Sequence, residues 1–547
     1  MSRVDVGRFD FAEYTVFTVS LALSATIGFY FGCIKGGQDT VSGYLLGGKR
    51  MSVFPIAMSL VTTYISGVTL LGVPTEIYTF GTQYLMGLVS YTIVSLFIAF
   101  VILPVFYKLQ LISLFELAYL PIVIYGPALA LNQVSGMNIH VITPVVCTVC
   151  IFYTTLGGLK AVVWSDTLQG TVMIGSVLAV LFLGLNNAGG VSEVLNSSID
   201  GDRIEFFNMD INPTTRLSFW SATIGMTFYW LANFAYSPAS VQRFISLPTF
   251  KEARLALCLL CLGVTAFTAL NGVIGLIIYT KYKGCDPLSS EAINRPDQIV
   301  PLFVLEVSGH IRGLPGLFMS GVVCAALSSL STGMNTVAGT IYEDFVEPLF
   351  SKKPSEKQAS FIMKALVVLF GTTCVLLVFV FEKLGHLIEL TTGFVGMTAG
   401  TTLGIFLLGM FFPSANTKGT LTGGIVSLIF MTWLLLGNSI ATAKGLIKHT
   451  TKPVSTELCT NMTFAQISTP QMEDAEIFPL YRISVFYYSV LGCGLVILIG
   501  LPISLLTSSK TNKEVDPALL SPLVKYFYEN KRKHEYSGVP LKKSSVQ

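Results

Sequence analysis

Residues 321–340 read GVVCAALSSLSTGMNTVAGT, and the fold follows from how that run is read. It lies inside a long apolar segment, which predicts a membrane helix. Yet Ser328, Ser329, Ser331, Thr332, Asn335 and Thr336 crowd it, with Gly333 among them. Lipid cannot satisfy so many hydroxyls and amides, so this face must look into a bundle or a wet cavity. Ala325, Ser328 and Ser329 stand at i, i+3 and i+4, on one helix face. One backbone carbonyl and two adjacent hydroxyls make a small oxygen cluster suited to a hard monovalent cation. Small and hydroxyl residues are also common packing glue between membrane helices, so spacing alone leaves both readings open.

Composition places this run in a membrane protein. Of 547 residues, 52% are hydrophobic and 12% charged, with a mean hydropathy of +0.68. A soluble domain carries roughly 25% charged residues. The net charge of +3 is small and there is no clustered basic groove, so no nucleic-acid partner is expected. The first 13 residues are polar and charged and lack the layout of a cleaved signal, so the first apolar run is read as a retained helix. Cys147 and Cys150 form a CxxC on a membrane helix without partner histidine or cysteine, which reads as packing rather than zinc binding.

Thirteen spans of about 20 residues each are predicted, near 14–34, 51–78, 83–107, 110–131, 139–156, 161–188, 216–245, 253–281, 312–340, 359–382, 387–410, 419–437 and 482–506. Residues 1–510 then form one transmembrane bundle and 511–547 a flexible cytoplasmic tail. Basic residues gather at Lys35, Lys49 and Arg50, at Arg243, Lys251 and Arg254, at Lys352, Lys353 and Lys357, and in the tail. These segments should be cytoplasmic, which sets the N-terminus outside and the C-terminus inside. Both glycosylation sequons, at Asn196 and Asn461, then fall outside, as does the cysteine pair Cys285 and Cys459. A disulfide between those two is one reading and two free thiols the other. Lys444, Lys448 and Lys452 lie in an outside loop and count against the orientation.

The second span carries Thr62, Thr63, Ser66, Gly67 and Thr69 at its middle, a stretch easily unwound so that its carbonyls can bind a cation or solute. The four-residue spacing of Ser59, Thr63 and Gly67 equally suits a packing patch. Span six begins with Asp166 in WSDTLQG, either a helix cap or a cation-sensitive acid. Pro238 interrupts span seven, five spans after the first break. Paired broken helices in corresponding positions point to an inverted-repeat transporter with its site at mid-depth. Span eleven holds Glu389 near its outer end, then Gly396, Gly400 and Gly404 at packing intervals.

On YTTLGGLKA at 153–161, SDTLQ at 165–169 and VQRF at 241–244, the chain resembles the sodium/solute symporter family. GVPTEIYTFGTQY from Gly72 and PALALNQVSG from Pro127 are most similar to its monocarboxylate and multivitamin branch. The resemblance implies an all-α, leucine-transporter-type five-plus-five inverted repeat, preceded by one helix and followed by two. It implies a sodium site from Thr62 and Ile65 with Ala325, Ser328 and Ser329, and a coupling role for Asp166. Tyr64, Ser66, Gly67, Thr69, Phe234, Tyr236 and Glu389 become the candidate solute contacts.

One departure stands out. After Ser113 the chain runs directly into LFELAYLPIVIYGPALAL, and about one helix length is missing relative to the family. Span four must still cross, despite Pro121 and Pro127. The expected function is sodium-coupled uptake of a small organic anion, monocarboxylate-like, at the plasma membrane. A carrier of biotin- or pantothenate-like vitamins, a sodium-gated sensor or leak channel, and a non-transporting variant are the alternatives. Sodium, the anion and the bilayer are the implied partners, and the sequence does not indicate an oligomeric state. No histidine, cysteine or carboxylate set has catalytic spacing, so an enzyme is not expected.

Overall fold

The computed structural model describes residues 9–36, 38–109, 120–381, 387–459, 477–507 and 515–537. The main helices are α1 (Phe11–Phe29), α2 (Val53–Tyr64), α3 (Gly67–Phe80), α4 (Gly87–Phe97), α5 (Leu120–Ser135), α6 (Ile139–Asn187), α7 (Met226–Tyr236) and α8 (Pro238–Ser246). They continue as α9 (Phe250–Tyr282), α10 (Leu314–Ile341), α11 (Glu356–Phe381), α12 (Leu387–Phe411), α13 (Thr417–Ala443), α14 (Tyr488–Leu506) and α15 (Pro522–Ser537). Among the described residues there is no strand. Lipid leaves this the natural outcome, because a helix satisfies its backbone internally.

Helix α10, which carries the opening stretch, is the axis of the bundle. Its most apolar window is 89% buried, whereas no other candidate span exceeds 56%. A helix of that composition survives in a membrane protein only when neighbours cover it, and α6 does so twice. At 49 residues, α6 would be roughly 74 Å long if straight, against a hydrocarbon core of about 30 Å. It turns back at Gly158, where φ is 54° and ψ is −153°. The two legs pass α10 in opposite directions. Along the first leg, Ile142 and Val146 meet Val323 and Ala326, and further on Ile151 and Met334 both lie against Gly371. Along the second, Asp166 reaches the Thr332 level through Arg243, and the later Met173 and Ser176 meet Gly321. A Cβ at residue 158 would sit 2.7 Å from the Tyr44 carbonyl oxygen, so the reversal needs glycine on both conformational and steric grounds.

Among the described residues, nine helices are long and apolar enough to cross a membrane, or ten with the bent pair α2–α3 as one span. The reversal in α6 adds one, and the shorter α5 and the α7–α8 pair add two, matching the thirteen segments read from sequence. Residues 110–119 of predicted span four lie outside the described residues. What is described, α5, has 16 residues, or roughly 24 Å of helix, and runs through Pro127 without a break. Pro127 is used for packing, because it lies against Gly67 where α3 starts.

Two expectations change here. Arg243 is not a loop charge marking the cytoplasm; it is fully buried. The expected flexible tail contains α15, preceded by buried Leu520 and by Ser521, whose N–H donates to the Met410 carbonyl at 3.1 Å.

At the other end, the loops are tied together. Cys285 and Cys459, 174 residues apart, are joined in a disulfide with Cα atoms 5.0 Å apart. Lys452 donates to Asp202 and Glu205 at 2.7 Å each, so its charge is neutralised locally and leaves the orientation argument. Partial burial works against that ammonium, but the two carboxylates more than offset it and raise its pKa. Asn196 is exposed on the helix Val191–Asp200, and Asn461 lies outside the described residues.

Gly158→Ala should cost at least about 1–2 kcal/mol from the left-handed backbone alone, with the Tyr44 clash added. Monodisperse yield in fluorescence-detected size exclusion measures it, and wild-type yield would refute the steric account. Protein cleaved between Cys285 and Cys459 should stay one band on a non-reducing gel and split on reduction. Two bands without reductant would show the thiols free.

Candidate functional site

The cavity is built around two helix breaks. Helix α2 ends at Tyr64, because Ile65 (φ −94°, ψ 86°) and Ser66 (φ −84°, ψ 171°) leave helical geometry. Helix α3 restarts at Gly67, bent by 54° from α2. The second break is at Ser237 (φ −63°, ψ 129°), the residue before Pro238, which cannot donate to the preceding turn. The sequence predicted both.

At the first break α10 meets α2 through oxygens. The Ser328 hydroxyl lies 2.8 Å from the Thr62 carbonyl oxygen and 3.1 Å from that of Ala325. The Ser329 hydroxyl lies 2.8 Å from the Thr63 carbonyl oxygen and 3.2 Å from that of Ala325. Thr62, Ala325, Ser328 and Ser329 are thus brought together as predicted. Ile65 is fully buried at the helix end, but the serine hydroxyls reach the carbonyl of Thr63, not that of Ile65. Thr63 was missed because a carbonyl leaves no trace in residue type. Five oxygens with no formal charge make a donor set for a hard monovalent cation.

Beside this cluster lies a buried ion pair. Asp166 is no helix cap; it sits within the second leg of α6. Its Oδ2 accepts from Arg243 Nη2 at 3.1 Å and from the Ser59 hydroxyl at 2.5 Å. Arg243 Nε donates to the Ser59 oxygen at 2.7 Å, Nη1 to the Ala239 carbonyl at 3.1 Å, and Nη2 also to the Thr332 hydroxyl. Among the described residues Asp166 Oδ1 has no hydrogen-bond partner. The Thr332 and Thr63 hydroxyls are 3.3 Å apart, so the pair and the oxygen cluster form one connected network.

An open cleft of about 950 Å³ runs alongside, lined by residues including Thr63, Ser329, Thr332, Tyr236, Thr398 and Thr402. A second cleft of about 590 Å³ is lined by Ser66, Thr69, Val73, Tyr84, Thr392 and Phe486, among others. Tyr64, Tyr229 and Trp230 line both and stand between them. Tyr64 is fixed there by donating to the Asn233 carbonyl at 2.7 Å and by a tilted ring contact with Phe234, centroids 4.7 Å apart. Of the predicted solute contacts, Tyr64, Ser66, Thr69 and Tyr236 reach a cleft. Phe234 is fully buried behind Tyr64, and Gly67 faces Pro127. The side chain of Glu389 lies outside the described ones. Trp230 and the threonines of α12 were missed, although the aromatic run FYWLANFAY at 228–236 was a usable signal.

A helical bundle with two broken helices, an oxygen cluster at one break and clefts on either side of an aromatic septum defines a membrane carrier for small solutes. The model of the sodium:solute symporter family matches residues 44–119 and 108–427, and the chain belongs to that family. The match divides where a helix length is missing from the sequence. Sodium-coupled monocarboxylate transporter 2 of Mus musculus is 36% identical over 546 residues, covering 95% of this chain and 88% of its own. The sodium-dependent multivitamin transporter of Oryctolagus cuniculus is 32% identical over 551 residues, covering 96% and 86%. A solved Na+-coupled sialic acid symporter in a substrate-bound outward-open state superposes with a TM-score of 0.72 at 22% identity, covering 93% of this chain and 100% of that one. The fold is therefore the leucine-transporter type. The chain is a multi-pass membrane protein, and its relatives are transporters, not enzymes.

Arg243→Gln alone strands the Asp166 carboxylate and should destabilise by about 3–5 kcal/mol. Adding Asp166→Asn removes the stranded charge and should restore a good part of the loss. Thermal melts of the purified variants test this, and simple additivity would show that the two side chains do not act as a pair.

Proposed function

We propose that this protein carries a small monocarboxylate-type anion inward with sodium across the plasma membrane, by alternating access. One observation carries the reading: Ser329 belongs both to the oxygen cluster and to the wall of the larger cleft. Sodium at Thr62, Ile65, Ala325, Ser328 and Ser329, with the Thr63 carbonyl added, would sit against the solute. Its entry requires the Ser328 and Ser329 protons to turn away from the α2 carbonyls, so that oxygen lone pairs face the ion. Occupancy then draws α2 and α10 onto one centre and favours the state in which that seam is closed, a population shift by differential affinity. The gradient supplies the concentration term plus about 2.3 kcal/mol per 100 mV for each sodium. Asp166, one hydrogen-bond chain away, is the coupling acid.

The relatives support the anion class. A vitamin-sized carboxylate is the second reading, favoured by the second cleft across the Tyr64 and Trp230 septum, which offers more room than one cleft alone. The orientation proposed is N-terminus outside, so that the Cys285–Cys459 loops face the oxidising side and α15 the cytoplasm.

Ser328→Ala with Ser329→Ala removes two ligands to a charged centre, each worth about 1.5–3 kcal/mol. The sodium half-saturation of uptake should rise at least tenfold at unchanged surface display. An unaltered sodium requirement would remove the site assignment. Tracer uptake of lactate, nicotinate, biotin and pantothenate, with and without sodium, separates the solute classes. Sodium current without accumulation of any tracer would identify a leak channel instead. Correct surface display with neither current nor uptake would identify a non-transporting variant.

A further inference from the structure

We propose that Arg216 is the residue that receives the solute anion above the second cleft, the outer one in the orientation proposed, with the entering carboxylate taking the place of Glu76 on its guanidinium. This rests on the reading that the solute is an anion, and deepens it by assigning the group that recognises the charge.

Thr69, Val73 and Glu76 stand at i, i+4 and i+7 on α3, hence on one face. Thr69 and Val73 line the outer cleft, so Glu76 lies one turn above its wall. Arg216 reaches across to it from the segment before α7. The two make a forked pair, Nη1 to Oε1 and Nη2 to Oε2, the latter at 2.9 Å. The guanidinium lies 3.7 Å over the Phe80 ring and 5.9 Å from that of Phe486, which lines the same cleft. Phe486 in turn stands 6.3 Å from Tyr84, another wall residue. The pair therefore stands just beyond the cleft wall, beside Phe486 and one turn on from Val73.

The chemistry favours exchange rather than mere closure. Among the described residues two arginines are fully buried, and both are held by fixed groups. Arg203 donates to the carbonyls of Tyr78, Gly201 and Pro453, and Arg243 divides its donors among Ala239, Ser59, Asp166 and Thr332. Both are fully buried, while the Arg216 side chain is 11% exposed. Arg216 holds a planar carboxylate by both oxygens, a geometry that a second carboxylate reproduces group for group. The guanidinium keeps a counter-charge through such an exchange, and the cost falls on Glu76, 3% exposed in the pair, which must turn to water or take up a proton as the entering carboxylate docks. The backbone stays fixed meanwhile, because the Arg216 carbonyl accepts from the Ser484 hydroxyl at 2.5 Å. Thr69 and Ser66 lie next on the way down to the septum.

Two variants separate an exchange site from a static staple. In surface-normalised uptake of labelled lactate by the full-length protein at saturating sodium, Arg216→Gln should raise KM at least tenfold. Glu76→Gln, which removes the internal competitor, should lower KM about threefold or more. Sodium half-saturation, measured at saturating lactate, should stay at the wild-type value in both. Arg216→Lys keeps the charge without the fork and should fall between wild type and Arg216→Gln. If Arg216→Gln does not reach the surface, the sign of the Glu76→Gln shift decides alone. A staple predicts that both variants lower the maximal rate with KM unmoved, or shift KM in the same direction; either result overturns the proposal. Failure of the wild-type protein to accumulate any carboxylate is read in the control arm. That outcome overturns the anion reading itself, and this assignment with it.

Discussion

Two hydroxyl groups on one helix reach two carbonyls on another, and much else in this protein is arranged so that they can. Ser328 and Ser329 sit on α10, a helix covered on nearly all sides. Their partners, Thr62 and Thr63, sit on the last turn of α2. A continuous helix would have claimed those carbonyls for residues 66 and 67. Breaking α2 at Ile65 and Ser66 releases them, and α10 satisfies them at the cost of two side-chain hydroxyls. The two hydroxyls hold the seam, and on the proposed reading a cation takes their place on the carbonyls. Backbone-to-backbone pairing would not allow that exchange.

Lipid imposes the rest. An unwound segment at membrane depth is tolerated only where protein or a water-filled cavity covers it. Both breaks meet this condition, with Tyr64, Ser66 and Ser237 all facing a cleft. The same logic accounts for the folding of α6. Its two legs hold α10 from opposite directions, and the second leg brings Asp166 to the network. Gly158 allows the reversal without a loop. A loop there would have exposed backbone groups close to the Tyr44 carbonyl.

The helix breaks and the α10 serines were legible because they depend on residue type at short range: proline, glycine and hydroxyls at helical spacing. What escaped depends on partners far apart in the chain. Arg243 was counted as a cytoplasmic marker, since a basic residue near a predicted span end usually faces water. Its neutralising acid is 77 positions away and its identity as a partner has no local signature. Arg216 and Glu76 are separated by 140 positions, and although Glu76 is the one acid of its segment, nothing local points to Arg216 as its partner. The Thr63 carbonyl was invisible for a different reason, that every residue has one. The missing helix length in span four was legible, and what remains is a helix shorter than a hydrocarbon core that still packs against α3 and α10.

The distribution of charge explains why cation and solute should travel together. Asp166 is matched by Arg243 beside the oxygen cluster and Glu76 by Arg216 above the second cleft, so neither pair adds net charge to the bundle. The oxygen cluster itself is formally neutral. A sodium ion there is consequently an uncompensated positive charge in a poorly polarisable surrounding, and the nearest open space is the cleft that shares Ser329 with it. A carboxylate about 6 Å away would attract that ion by roughly 3 kcal/mol at an effective dielectric constant of about 20. A coupling free energy of that size corresponds to roughly a hundredfold mutual increase in affinity, and linkage makes it reciprocal. On the proposed reading, neither charge is comfortable in the bundle alone, and together they cross as a nearly neutral load. Each additional sodium beyond the first would leave net positive charge inside, which is the share of the work that the membrane potential performs.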